Sequence, residues 1–381
     1  MDNVCFVGPV YDCSGYGEAA RSNILALHKK GVNLCVKPFC FEKNRSALGS
    51  SPGIDIIDGL VDKWKKNSLE YDIVICQLTP DMAIMNGVPG KYNIAYFAWE
   101  TTKVHPNWVK CLNEMSEVWT PSDWCVNSIK ESGVTVPVYK VPHGIDIEAY
   151  SLTKKESFPL VVDDSAYYFY SILQWQPRKN PEGLLRTYFS TFKSDENVAL
   201  VLKAYISGGG PEEANIIASK ILNIKRDMML PSYPKILLIT SILSNEQMKA
   251  LHLKLDCCVS LHRSEGFGLP MMEAGLAGKP VIATGATGNL EFMNDQNSYL
   301  VNANWSYVRE MSSFNSWYVG DGLWATPDEL NASELMRFVF ENRDKAKVLG
   351  EKLKLDITNN FNYDNIADIM VNRLKDISVT L

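Results

Sequence analysis

Short apolar runs alternate along the chain with stretches whose apolar residues recur at helical spacing, and most runs end in glycine, proline or polar residues. Strands are predicted over residues 3–7, 33–38, 71–76, 92–97, 117–120 and 138–141, with helices over 18–30, 107–115 and 122–132. A strand covered on both faces reads as a continuous apolar run, and strands separated by helices pair in parallel. This half therefore predicts a doubly wound α/β domain whose ligand edge lies at the carboxyl ends of the strands. From residue 148 to 164 the chain turns irregular and polar, with Lys154, Lys155, Glu156 and Ser157, which marks a boundary. The alternation then restarts. Strands are predicted over 167–173, 199–205, 235–240, 256–261, 281–284 and 298–301, and helices over 181–192, 214–225, 245–253, 328–342, 344–355 and 363–375.

The stretch 257–284 carries the densest chemistry. It reads strand, loop, helix, turn, strand, with Pro270 suited to a first helical turn and Gly278 and Pro280 to its close. Its loop brings Gly266 and Gly268 to a helix N-terminus, where free N–H groups and the helix dipole favour an anion. Glu265 and Glu273 flank that place. A bare carboxylate beside an anion site is repelled, so each is expected to accept hydrogen bonds from hydroxyls of a ligand that also carries phosphate. Arg178 and Lys179 stand before the helix at Pro181, where two cations oppose the dipole unless an anion lies between them; they read as a phosphate clamp. Near the start, Gly15 and Gly17 follow the first strand and either permit a tight turn or bring backbone close to a ligand. The strand end at Trp99, Glu100 and Thr101 reads either as core aromatic or as loop lining.

Composition narrows the class without changing this picture. A chain of 381 residues suggests two domains of about 150–200 residues. With 46% hydrophobic and 22% charged residues it is ordinary for a globular protein, and its net charge of −6 argues against bulk electrostatic binding of nucleic acid. The nine cysteines form no C-x-x-C pair, as expected of reduced thiols in a cytoplasmic setting. Neither a signal sequence nor a run of roughly 18 apolar residues is visible, so any membrane contact is expected from the surface. No metal site is expected: Cys257 and Cys258 point to opposite faces of a strand, His262 beside them reads as a loop residue, and Asp163–Asp164 falls in the irregular stretch. His143 reads as structural, and the run Gly208–Gly210 lacks the Lys-Ser/Thr of a P-loop. Gly15 to Gly17, Arg178, Lys179, Glu265 to Leu269 and Glu273 together call for a phosphate-bearing, hydroxyl-rich ligand such as a sugar nucleotide.

Glu265-Gly266-Phe267-Gly268-Leu269-Pro270, Glu273-Ala274 and Gly278-Lys279-Pro280-Val281-Ile282 resemble the E-x7-E signature of retaining GT-B glycosyltransferases, especially family 4, the group of glycogen synthase and sucrose synthase. Ser14-Gly15-Tyr16-Gly17, Val141-Pro142-His143-Gly144-Ile145-Asp146 and Gln176-Pro177-Arg178-Lys179-Asn180-Pro181 are similar to further motifs of that family. The resemblance implies two Rossmann-like doubly wound domains facing a central cleft: an acceptor-side domain over 1–146, a linker over 147–166 and a nucleotide-sugar domain over 167–358. Residues 359–381 would form a helix returning to the first domain. It implies Arg178 and Lys179 on the donor diphosphate, Glu265 and Gly266, Phe267, Gly268 and Leu269 on the donor sugar and distal phosphate, Glu273 on the ribose, and Ile242 or Leu243 facing the base. Gly15, Tyr16 and Gly17 belong to the first glycine loop. Where many members carry a histidine near the donor sugar, this chain reads Ala98-Trp99-Glu100-Thr101, with His105 beyond, and Glu100 is the candidate for acceptor contact or base. The expected reaction is metal-independent, retaining transfer of a hexose or pentose from a UDP- or GDP-linked donor to a hydroxyl of a carbohydrate or lipid-linked acceptor, with no further cofactor. A sugar-nucleotide epimerase or a catalytically silent sugar-nucleotide-binding subunit are the alternatives.

Overall fold

The computed structural model describes residues 3–41, 52–160, 162–163, 165–206, 210–309, 311 and 316–380; Asp164, Gly208 and Gly209 lie outside these. The chain divides into two compact units, Met1–Ala149 with Thr358–Leu381, and Tyr150–Ile357.

The first unit runs β1 (Val4–Gly8), α1 (Gly15–Lys29), β2 (Leu34–Pro38), α2 (Pro52–Lys65), β3 (Ile73–Cys76), α3 (Pro80–Asn86), β4 (Tyr92–Tyr96), α4 (Pro106–Asn113), β5 (Glu117–Thr120), α5 (Asp123–Glu131) and β6 (Val138–Lys140). Its six strands pair in parallel in the order β2-β1-β3-β4-β5-β6. The strands β1, β3 and β5 are buried along their whole length; β1 and β3 therefore read as unbroken apolar runs, while β5 carries the buried polar residues Glu117 and Thr120. α1 begins at Gly15, three residues before the expected start, because Ser14 caps it: the Ser14 hydroxyl accepts from the Gly17 amide at 3.2 Å. Gly15, Tyr16 and Gly17 are thus a helical first turn and not loop. Gly17 admits no side chain, since a Cβ would stand 2.1 Å from the Asp12 carbonyl oxygen.

The last helix of the chain, Tyr363–Thr380, also belongs to this unit and packs on α1. A buried ion pair holds it to the sheet. Glu117, with no exposed surface, accepts from Arg373 at 2.7 Å, from Tyr92 at 2.8 Å and from the Trp119 indole at 2.6 Å.

Beyond α6 (Ile147–Leu152), the second unit runs β7 (Tyr167–Gln174), α7 (Pro181–Thr191), β8 (Val198–Tyr205), α8 (Glu213–Met228), β9 (Lys235–Ile239), α9 (Asn245–Lys254), β10 (Cys257–Ser260), α10 (Leu269–Leu276), β11 (Val281–Thr284) and β12 (Tyr299–Val301). The antiparallel pair β13 (Ala303–Tyr307) and β14 (Leu323–Pro327) follows, then α11 (Glu329–Glu341), α12 (Arg343–Asn360) and, as α13, the helix of the first unit. The sheet order is β12-β11-β10-β7-β8-β9, all parallel. The strand order reverses between β7 and β10. In an open α/β sheet, ligands bind outside the carboxyl ends of the strands at such a reversal. One face of the sheet packs Phe169, Leu200, Leu202 and Val259 against α7, α8 and α11.

Five elements, α2, α3, α6, β13 and β14, are not among those the sequence predicts. Helices α2 and α3 begin at prolines, whose fixed φ suits a first turn. The polar stretch after residue 146 contains helix α6, and β13–β14 forms a hairpin whose first strand is largely exposed.

Candidate functional site

The two loops leaving β7 and β10 meet at the strand reversal. The β7 loop turns through a single 3-10 turn, Pro177–Lys179, into Asn180, which takes left-handed backbone (φ 52°) and caps α7 by accepting from the Gly183 amide. Its amide group also donates to the Leu261 carbonyl at 2.9 Å, while Arg263 N donates to the Arg178 carbonyl at 2.7 Å. The loops are therefore fastened backbone to backbone. Arg178 and Lys179 both reach Glu265: Arg178 Nη1 lies 3.2 Å from Oε2 and donates to the Ser264 carbonyl at 2.8 Å, and Lys179 Nζ pairs with Oε1.

The three side chains are 10%, 17% and 9% exposed. Burial alone would raise the Glu265 carboxyl, but Lys179 and Arg178 outweigh it and hold it down at about 2. One carboxylate between two cations leaves a net positive charge beside the N-terminus of α10. The cluster can receive a second anion. It also explains how two cations come to precede the N-terminus of α7, since their charge is turned onto Glu265.

Sequence reasoning missed the frame that holds the Glu265 loop. His262, fully buried, bonds Ser260 Oγ through Nδ1 at 3.0 Å and Asn289 Oδ1 through Nε2 at 3.1 Å. Burial lowers this imidazole to about 4, so it is neutral near pH 7. Asn289 Nδ2 donates to the Thr284 carbonyl at 3.0 Å. The Glu265 amide donates to Thr287 Oγ1 at 3.0 Å, and Thr287 holds φ 74°, a conformation a β-branched residue adopts only under constraint. Next to it, a Cβ on Gly288 would stand 2.1 Å from the Gly266 carbonyl oxygen, so this position also needs glycine. Thr287, Gly288 and Asn289 lie between the strands predicted over 281–284 and 298–301, where no period in the sequence joins them to His262.

Gly268 (φ 99°) turns the chain into α10 and Pro270 lies in the first turn. Glu273 follows on the same helix, 20% exposed, with Oε2 at 3.5 Å from Nε2 of His252 on α9. Ile242 and Leu243 occupy the loop between β9 and α9, the first 52% exposed and the second buried; Ser244 and Gln247 close that loop with a reciprocal capping box. In the first unit, Tyr16 on α1 has its hydroxyl 3.5 Å from the Ala98 carbonyl, and Trp99 is core, packed edge to face on Trp108. Glu100 is partly buried and accepts the Trp124 indole N–H on its carbonyl at 2.9 Å. His105 caps α4 by accepting from the Asn107 amide, and His143 is buried against the Tyr96 hydroxyl, its imidazole pushed down to about 3 by burial. Among the described residues no group of three or more His, Cys, Asp or Glu is placed to hold a metal ion, and no helix is long and apolar enough to cross a membrane.

Residues 153–310 match a family model described as glycosyl transferases group 1. No curated protein matches the chain. Among solved structures, sucrose-phosphate synthase from Thermosynechococcus elongatus superposes with a TM-score of 0.72 at 12% identity, covering 100% of both chains. HepE of Anabaena, in complex with UDP and glucose, superposes with a TM-score of 0.66 at 13% identity over 99% of this chain and 100% of its own. TarM of S. aureus gives 0.57 at 15% identity over 82% of this chain and 57% of its own. The chain thus has the GT-B fold of such glycosyltransferases, and its residues 153–310 match glycosyl transferases group 1.

Proposed function

We propose that this chain is a retaining, metal-independent glycosyltransferase that moves a sugar from a nucleotide-diphosphate donor to a hydroxyl of a carbohydrate or lipid-linked acceptor. One observation carries this reading: the Arg178–Lys179–Glu265 cluster sits at the strand reversal beside the N-terminus of α10. Breaking the bond between sugar and diphosphate leaves negative charge on the leaving phosphate. Fixed cations and a helix N-terminus aimed at that charge stabilise it, in the place a divalent ion would otherwise take. Glu265, kept ionised by its partners, accepts from the hydroxyls of the donor sugar, with the amides of Gly266 to Leu269 on the distal phosphate. Glu273 takes the ribose, and Ile242 and Leu243 face the base. Gly15, Tyr16, Gly17 and Glu100 are assigned to the acceptor side.

The family match supports glycosyl transfer, and the complexes of HepE with UDP, glucose and UDP-glucose favour UDP as the first nucleotide to try. The test is a thermal-shift series with UDP, GDP and their sugars, followed by donor turnover. A ligand of the folded state raises the midpoint according to its affinity. Donor hydrolysis that both Arg178→Ala and Lys179→Ala leave unchanged overturns the cluster's role. An isomerised sugar formed from donor alone would instead identify an epimerase, and nucleotide binding with no turnover under any acceptor would identify a silent binding subunit.

A further inference from the structure

Behind Glu273 lies a buried side chain that the reaction as drawn does not use. His252, on α9, has no exposed surface. Its Nδ1 is 3.0 Å from the hydroxyl of Tyr170 on β7, the two rings standing edge to face at 5.5 Å, and its Nε2 is 3.5 Å from Glu273 Oε2. Burial pushes the Tyr170 hydroxyl well above its ordinary range, so it keeps its proton. That proton points the tautomer. If Tyr170 donates to Nδ1, the imidazole N–H is on Nε2 and faces the carboxylate. The opposite tautomer would set the Nε2 lone pair against Glu273 Oε2.

Nε2 makes no hydrogen bond among the described residues. A buried donor without a partner is costly, and the acceptor it faces is the one carboxylate oxygen. At 3.5 Å, Glu273 Oε2 stands at the outer edge of hydrogen-bond distance from Nε2. Glu273 is partly exposed, so its carboxylate has a buried neighbour on one side and access to solvent on the other.

We propose that Tyr170 and His252 are positioning residues that orient the Glu273 carboxylate toward the vicinal hydroxyls of the donor's ribose: Nε2–H fixes Oε2 and leaves Oε1 to accept from the ligand. The inference rests on the reading of Glu273 as the ribose acceptor. A fixed carboxylate discriminates between one hydroxyl and two. A freely turning one loses that discrimination, whatever the phosphate contacts contribute.

The experiment measures dissociation constants of UDP, GDP and their 2′-deoxy counterparts, with pyrophosphate as control, on the full chain. Wild type is expected to prefer the ribonucleotide about tenfold or more, as a charge-assisted hydrogen bond allows. His252→Phe should bring the preference to within about twofold. His252→Gln, which keeps a donor near Nε2, should retain most of it, and Tyr170→Phe, which frees the tautomer, should fall between. Pyrophosphate affinity should stay the same throughout, which a general collapse of the unit would not allow. Should His252→Phe fail to fold, Tyr170→Phe carries the test: a preference below that of wild type is expected, and a full wild-type preference overturns the positioning role. Full ribose preference in both His252→Phe and Tyr170→Phe overturns the positioning role when Glu273→Gln has lost it. Preference retained in Glu273→Gln overturns the ribose reading itself, and a wild type that binds neither nucleotide overturns both.

Discussion

Replacing Glu265 with Gln removes one negative charge from between two cations and keeps the side chain's volume. The Glu265 carboxyl is held at about 2 in the folded chain, against an ordinary value of 4.5. A difference of that size corresponds to about 3 kcal/mol of stability, since each pKa unit is worth about 1.4 kcal/mol. The sign follows from the direction. The folded value is depressed, so the contribution is fully present above pH 4.5 and is lost as the pH falls toward 2. By pH 3 about 2 kcal/mol of it should be gone. Near neutral pH, Glu265→Gln should therefore be the less stable protein by about 3 kcal/mol, because Arg178 and Lys179 lose the carboxylate that both of them reach. The assay is urea unfolding of both proteins at several pH values between 7 and 3. Wild type should lose stability faster than Glu265→Gln as the pH falls, and the two curves should converge. The variant should also gain more than wild type from added pyrophosphate, which supplies the missing negative charge. Parallel pH curves would refute the reasoning, because they would mean that the cations do not hold the carboxylate in the folded chain.

Three further outcomes follow from named contacts. Lys179→Ala and Arg178→Ala should each lower donor turnover by about 10²–10³, the usual effect of deleting one group aimed at developing charge, while changing nucleotide binding less; steady-state kinetics with separate measurement of binding decides it. Gly288→Ala should cost about 1–3 kcal/mol and disturb the Glu265 loop, because the added Cβ collides with the Gly266 carbonyl 2.1 Å away; an unchanged unfolding midpoint counts against the loop geometry. Arg373→Ala should destabilise the first unit by about 3–5 kcal/mol, since it strands the Glu117 carboxylate in the core, and hydrogen exchange along β5 and α13 should rise first.

What the sequence shows and what it hides divide along one physical line. The strands of both sheets were legible because a parallel strand buried on both faces is mostly apolar, as Ile73–Cys76 and residues 281–283 are. The need of Arg178 and Lys179 for a negative partner was legible as well, because charge before a helix N-terminus is locally wrong: the two cations announce a partner without naming it. The structure names Glu265, 87 residues after Arg178. The polar frame was not legible. His262 and Asn289 are 27 residues apart, and Tyr170 and His252 are 82. Neither pair follows a period that propensity or amphipathicity could expose, since each is joined only when α/β units stack side by side. Helix α1 shows the same limit on a small scale. Gly15 and Gly17 read as loop because glycine is costly inside a helix, yet the Ser14 cap and the crowding of Gly17 against the Asp12 carbonyl override that preference. Local conflicts in the chain therefore mark where a contact outside the local period resolves them. At Arg178–Lys179 the conflict is resolved by Glu265, and at Gly17 by Asp12; at Thr287, whose strained φ supports the Glu265 amide, it is resolved by the site itself.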